Sequence, residues 1–74
     1  MREKVVRILL QSGMKEKNVE SSDFMTEGSL DSLKIMEIIA ALEEKFHIVI
    51  DGNDIIPENF KNVDTIVAMV EKAL

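Results

Sequence analysis

Apolar positions recur along this chain with the three-to-four-residue step of helices that bury one side, and they do so in three places. In the first, Val5, Ile8 and Leu9 fall at i, i+3 and i+4, with Val6 and Leu10 beside them. Arg2, Glu3, Lys4 and Arg7 are spread over the other side. The pattern predicts a helix over residues 1–13, closed at Gly13 by a left-handed cap. The second place is the clearest: Ile35, Ile38, Ile39, Leu42 and Phe46 keep a helical period while Lys34, Glu37, Glu43, Glu44 and Lys45 fill the remaining positions. Asp31 and Ser32, both good N-cap residues, stand just before that run, so a helix is expected over 31–46. In the third, Ile66, Met69, Val70 and Leu74 form an inward stripe behind Asp64, which reads as the N-cap.

The connecting segments are less regular. Residues 14–30 carry Asn18, Ser21, Ser22, Asp23, Gly28 and Ser29 and only Val19, Phe24, Met25 and Leu30 as apolar anchors. No period is sustained there, which predicts one long loop, well above the about 4–6 residues usual for a connection. Phe46, Ile48 and Ile50 alternate, but a lone strand has nothing to pair with, so 47–50 reads as an extended connection. Asp51-Gly52-Asn53-Asp54 is a turn able to cap a short helix at 53–56. Pro57 stops that helix and opens a single new turn, Pro57-Glu58-Asn59-Phe60. The expected fold class is therefore all-α: a four-helix bundle with three longer helices, one short irregular third helix and a long loop between helices one and two. Residues 1–74 are expected to form a single domain.

Composition narrows the function. Of 74 residues, 46% are hydrophobic and 31% charged, with 3 Gly and 1 Pro, which is too apolar for disorder and too poor in turn residues for a multi-stranded β fold. A chain this short buries only about 60% of its unfolded surface, leaving no room to enclose a deep substrate pocket. Cys is absent, and with it disulfides, thiolate metal sites and a cysteine nucleophile. The net charge of −5 makes nucleic acid an unfavourable partner. No apolar run approaches the about 20 residues of a membrane span, and the opening Met1-Arg2-Glu3-Lys4 lacks the pattern of a signal peptide. A cytoplasmic monomer is expected.

Catalytic arrangements fail in turn. His47 has no Cys partner and reads as a surface residue; Glu43 and Glu44 are sequence neighbours that diverge on a helix; Asp51, Asn53 and Asp54 lack the rest of a calcium loop. No phosphate-cradling glycine loop is present, and an enzyme is not expected. One position remains. Gly28-Ser29-Leu30-Asp31-Ser32-Leu33 puts a serine hydroxyl at the mouth of the main helix, where first-turn N–H groups lack partners and the peptide dipoles add positive charge. A phosphate ester on Ser32 would rest against favourable donors. Taken alone, the tripeptide is better read as a plain helix cap, supplied by Ser32 or by Asp31 before it.

The surrounding residues bear on that choice. Gly28-x-x-Asp31-Ser32-Leu33, then Ala41-Leu42-Glu43-Glu44-Lys45-Phe46, Ile48-x-Ile50 and Val63-Asp64-Thr65-Ile66 resemble the acyl carrier protein superfamily, with its aminoacyl, D-alanyl and peptidyl members, over nearly the whole chain. The resemblance implies that Ser32, beside Asp31, accepts 4′-phosphopantetheine from coenzyme A through a Mg²⁺-using phosphopantetheinyl transferase. An acyl or aminoacyl group then rides on the arm's thiol as a thioester, loaded by a ligase and consumed by a synthase or acyltransferase. It further implies that Glu37, Glu43 and Glu44, with Asp31, meet basic patches of those enzymes, and that Leu33 and Met36 are apolar contacts beside the serine. Residues 27–58 hold eight acids against Lys34 and Lys45, a net −6 in a chain of −5, so the acidity gathers around Ser32. The alternative is a small acidic helical adaptor that binds a protein partner without a prosthetic group. Gly28 three positions before Asp31 looks more like D-alanyl or specialised stand-alone carriers, and Pro57-Glu58-Asn59-Phe60 is similar to the non-fatty-acid branches. Lys34 stands where fatty-acid carriers commonly have an acid, which implies a different partner set, and Ile55 and Ile56 are bulky where such carriers often have a small residue. The bulk of those isoleucines argues against a wide acyl cavity between helices.

Overall fold

A computed structural model of the chain describes residues 1–20, 23–24 and 31–74. Three longer α-helices carry the architecture: α1 (Arg2–Gln11), α3 (Ser32–Phe46) and α4 (Val63–Ala73), with a single-turn α2 at Glu16–Val19. Two 3₁₀ turns, Gly52–Asp54 and Pro57–Phe60, lie between α3 and α4, and no strand occurs among the described residues. Helix α1 packs against α3 and α4, and α4 also packs against the Pro57–Phe60 turn.

Each helix buries the stripe its sequence offers. Val5, Ile8 and Leu9 of α1, Ile38, Ile39 and Leu42 of α3, and Val63, Ile66, Met69 and Val70 of α4 meet in one apolar cluster, and no polar or charged side chain is buried among the described residues. The connections contribute anchors as well. Met14, Val19 and Phe24 are buried, and Phe24 N–H donates to Lys61 O, so the region after α1 is tied to the approach to α4. Ile48 and Ile50 point in while Val49 points out, the alternation expected of an extended connection.

Several expectations need correction. The segment after α1 is not an unbroken loop: Glu16–Val19 makes a helical turn, because Met14 and Val19 both reach the core and the chain must turn between them. The Gly28-Ser29-Leu30 portion of the motif and Glu27 lie outside the described residues. The short irregular helix expected at 53–56 is the 3₁₀ turn Gly52–Asp54, started by Asp51 accepting from Asn53 N–H at 2.9 Å. Asp64 does not cap α4. Asn62 does, accepting from Thr65 N–H at 2.9 Å while Thr65 Oγ1 accepts from Asn62 N–H at 3.1 Å. Asp64 is exposed inside the first turn and pairs with Arg2 across to α1. Leu74 ends the chain exposed and is not part of the α4 stripe.

The reciprocal cap at Asn62 gives a stability prediction. Asn62→Ala is expected to cost about 1 kcal/mol by removing the acceptor for Thr65 N–H. In a domain of this size that lowers the melting temperature by roughly 4–8 °C. Thermal denaturation followed by circular dichroism checks it, and an unchanged midpoint would show the cap to be energetically idle.

Candidate functional site

Helix α3 begins at Ser32, and Asp31 is its N-cap, with extended backbone at φ −120° and ψ 177°. The Asp31 carboxylate accepts from Lys34 N–H at 2.8 Å, and its carbonyl accepts from Ile35 N–H at 2.9 Å. Capping therefore belongs to Asp31 alone. Ser32 is the first helical residue; it is exposed, and its hydroxyl hydrogen-bonds to no described residue. The N–H groups of Ser32 and Leu33 are likewise without partners among the described residues. The mouth of a fifteen-residue helix thus offers a free hydroxyl beside two free donors, at the end where the macrodipole is positive.

Beside Ser32 lies an open apolar cleft of about 270 Å³. Ile35 and Met36 of α3 form one wall; Ile55, Ile56, Pro57 and Phe60 form the other. The two isoleucines read in the sequence as fillers of an interior cavity are here walls of a surface cleft that opens next to the serine. Pro57 starts the 3₁₀ turn with its preset φ and lacking N–H, and the fully buried Phe60 anchors that turn to α4. Larger clefts of about 430 and 320 Å³ share Val6 and Leu10 of α1, but no α3 residue lines them, so they do not adjoin the hydroxyl.

The outward half of α3 carries the remaining candidate residues. Leu33, Glu37, Ala40 and Glu44 succeed one another at steps of three or four and are all exposed, Leu33 by 70%. Met36, 58% exposed, sits one turn beyond Ser32 on the same side. At 1.5 Å per residue this face runs about 18 Å from Ser32 to Glu44. Glu43 differs from the others. It is half-buried, and its carboxylate accepts from Ile50 N–H at 2.9 Å, which holds the connection after α3 against the helix.

Other acids of the charge-rich half are also engaged locally: Asp51 caps a turn, and Asp54 accepts from Lys72 Nζ at 2.9 Å. The acids left fully exposed toward solvent on α3 are Glu37 and Glu44. His47 is exposed and closes α3 in the left-handed conformation at φ 55°, a C-terminal position more often held by glycine. Among the described residues no group of three or more acidic, His or Cys side chains could hold a metal ion. No helix of the described residues is long and apolar enough to cross a membrane. Sequence reasoning missed the cleft because its walls come from segments twenty residues apart. Pro57 followed three residues later by Phe60 was the available signal.

Comparison with known proteins adds one finding. A family model described as "Phosphopantetheine attachment site" matches residues 4–70. Neither the curated proteins nor the solved structures compared with the chain gave a match.

Proposed function

This chain belongs to the phosphopantetheine attachment-site family, whose members carry 4′-phosphopantetheine, and on that premise we propose that Ser32 is the attachment residue of an acyl or aminoacyl carrier. The observation that carries the assignment is the division of labour at the start of α3. Asp31 caps the helix, so the Ser32 hydroxyl is exposed and free for esterification. The residues present suit the group. A phosphate on Ser32 Oγ adjoins the unpaired Ser32 and Leu33 N–H donors, and the apolar cleft toward Ile55 and Ile56 offers a place for uncharged atoms beyond it. When bound, the group supplies a thiol that this Cys-free chain does not have, and the cargo is held there as a thioester.

The cleft's volume bears on the cargo. At about 270 Å³ and open to solvent, it offers a place for part of the arm or a small acyl group beside Ser32. This favours a carrier of short cargo, in line with the likeness to D-alanyl and specialised stand-alone carriers. The partners are a phosphopantetheinyl transferase, a loading ligase and a downstream synthase or acyltransferase. They meet the exposed face of α3 through Leu33 and Met36, with Glu37 and Glu44 steering basic patches by long-range attraction. Glu43 contributes to that face mainly by fixing the connection that follows it. Delivery of cargo to these enzymes in the cytoplasm, as one domain and without catalysis of its own, completes the reading.

The test is incubation with coenzyme A, Mg²⁺ and a broad-specificity phosphopantetheinyl transferase. The intact mass is expected to rise by one phosphopantetheine. An unchanged mass, with partner binding still weakened by Glu44→Lys, would instead indicate an adaptor without a prosthetic group.

A further inference from the structure

We propose that Lys34 is a positioning residue for Ser32, bracing the overhanging first turn of α3 against the end of α1. The inference rests on the reading of Ser32 as the attachment residue. The buried part of α3 begins only at Ile38, six residues and about 9 Å along the axis from Ser32. Between them, Lys34 and Ile35 are half-buried, while Asp31, Ser32, Leu33, Met36 and Glu37 are exposed. The apolar packing of the turn that presents the hydroxyl therefore comes from Ile35, half-buried against the core, and the side facing α1 is left to Lys34.

Lys34 meets the need from two sides. Its backbone N–H is held by the Asp31 carboxylate at 2.8 Å, which ties it to the cap. Its side chain leaves the Ser32 face and ends beside Gly13, so closely that a methyl group at Gly13 would stand 3.2 Å from Lys34 Nζ. Gly13, at φ 105°, is where the chain leaves α1, beside the helix's last carbonyls and the negative end of its dipole. Helix α1 has no basic residue in its own last turn, and Lys34 forms no ion pair among the described residues. The ammonium from α3 thus supplies the cation that the α1 terminus lacks. A lysine at this position, where an acid would sit on an all-acidic recognition face, serves the interior contact and not the outer surface.

The experiment compares wild type, Lys34→Met and Lys34→Arg by two measurements. The first is hydrogen exchange at the Lys34 and Ile35 amides, which bond to Asp31 and need no partner enzyme. Lys34→Met, which keeps the stem and removes the charge, is expected to speed exchange at both, and Lys34→Arg to restore protection. The second is the kinetics of phosphopantetheine loading. Here kcat is expected to fall about tenfold in Lys34→Met, with KM little changed and recovery in Lys34→Arg. Unaltered exchange would overturn the proposal. So would an effect confined to KM and erased by salt, because that is the mark of a charge met directly by the transferase. A wild-type chain that accepts no arm would defeat the reading of Ser32, while the exchange measurement would still decide the role of Lys34.

Discussion

Replacing Ser32 with alanine is expected to abolish phosphopantetheine loading while leaving stability within about 0.5 kcal/mol of wild type. The two halves of that result come from one geometric fact. The hydroxyl takes no part in capping, because Asp31 already holds Lys34 N–H, and the side chain is exposed at a position where alanine is a good helix former. Asp31→Ala is the matched control: it removes the cap acceptor and is expected to cost about 1 kcal/mol. That variant keeps the serine, so it should still gain the arm's mass below its melting temperature, though more slowly because the turn that holds Ser32 is loosened. Thermal melts and intact masses of the two variants separate tether from cap. If Ser32→Ala were the one to lose stability and still gain the arm's mass, the hydroxyl would be a backbone plug and the assignment wrong.

Phe60→Ala is expected to remove a large share of the folding free energy. Phe60 is fully buried at the end of the Pro57–Phe60 turn, where it joins the turn to α4 and backs the cleft beside Ser32. Truncating a buried phenylalanine costs about 3–5 kcal/mol, because the transfer energy of the ring is lost and the cavity closes only in part. A chain of this length has roughly 4–11 kcal/mol in all, at about 0.05–0.15 kcal/mol per residue. The urea midpoint should therefore fall by about a quarter or more, and Phe60→Leu should recover part of it. A midpoint close to wild type would mean that the turn and α4 hold together without this ring.

The long helices were legible because each is a periodic run long enough to be unambiguous. Val5, Ile8 and Leu9, or Ile38, Ile39 and Leu42, announce both the helix and its buried side. The position of Ser32 was legible for the same reason, since Asp31-Ser32 directly precedes such a run. What the sequence left open was which of the two residues caps. Either side chain can accept a first-turn N–H, and only the backbone geometry assigns the role to Asp31. Helix α2 was missed because four residues carry no measurable period and its cause, the simultaneous burial of Met14 and Val19, is tertiary. The cap of α4 was misplaced by two residues for a related reason: Asn62 and Asp64 are both good caps, and the reciprocal bond with Thr65 favours the first. Glu43 and Glu44 looked equivalent in the sequence, yet the return of the chain at Ile50 engages only Glu43. Lys34 likewise reads as one more surface charge until Gly13 is found beside it.

The central claim is that the arm is joined to the chain through Ser32. The most direct measurement is the fragment mass spectrum of the wild-type chain after incubation with coenzyme A, Mg²⁺ and the transferase. One phosphopantetheine on the peptide containing Ser32, with the fragment series breaking at that residue, is the predicted result. A chain that stays unmodified under conditions that load a known carrier, or an adduct on any other serine or threonine, would contradict it.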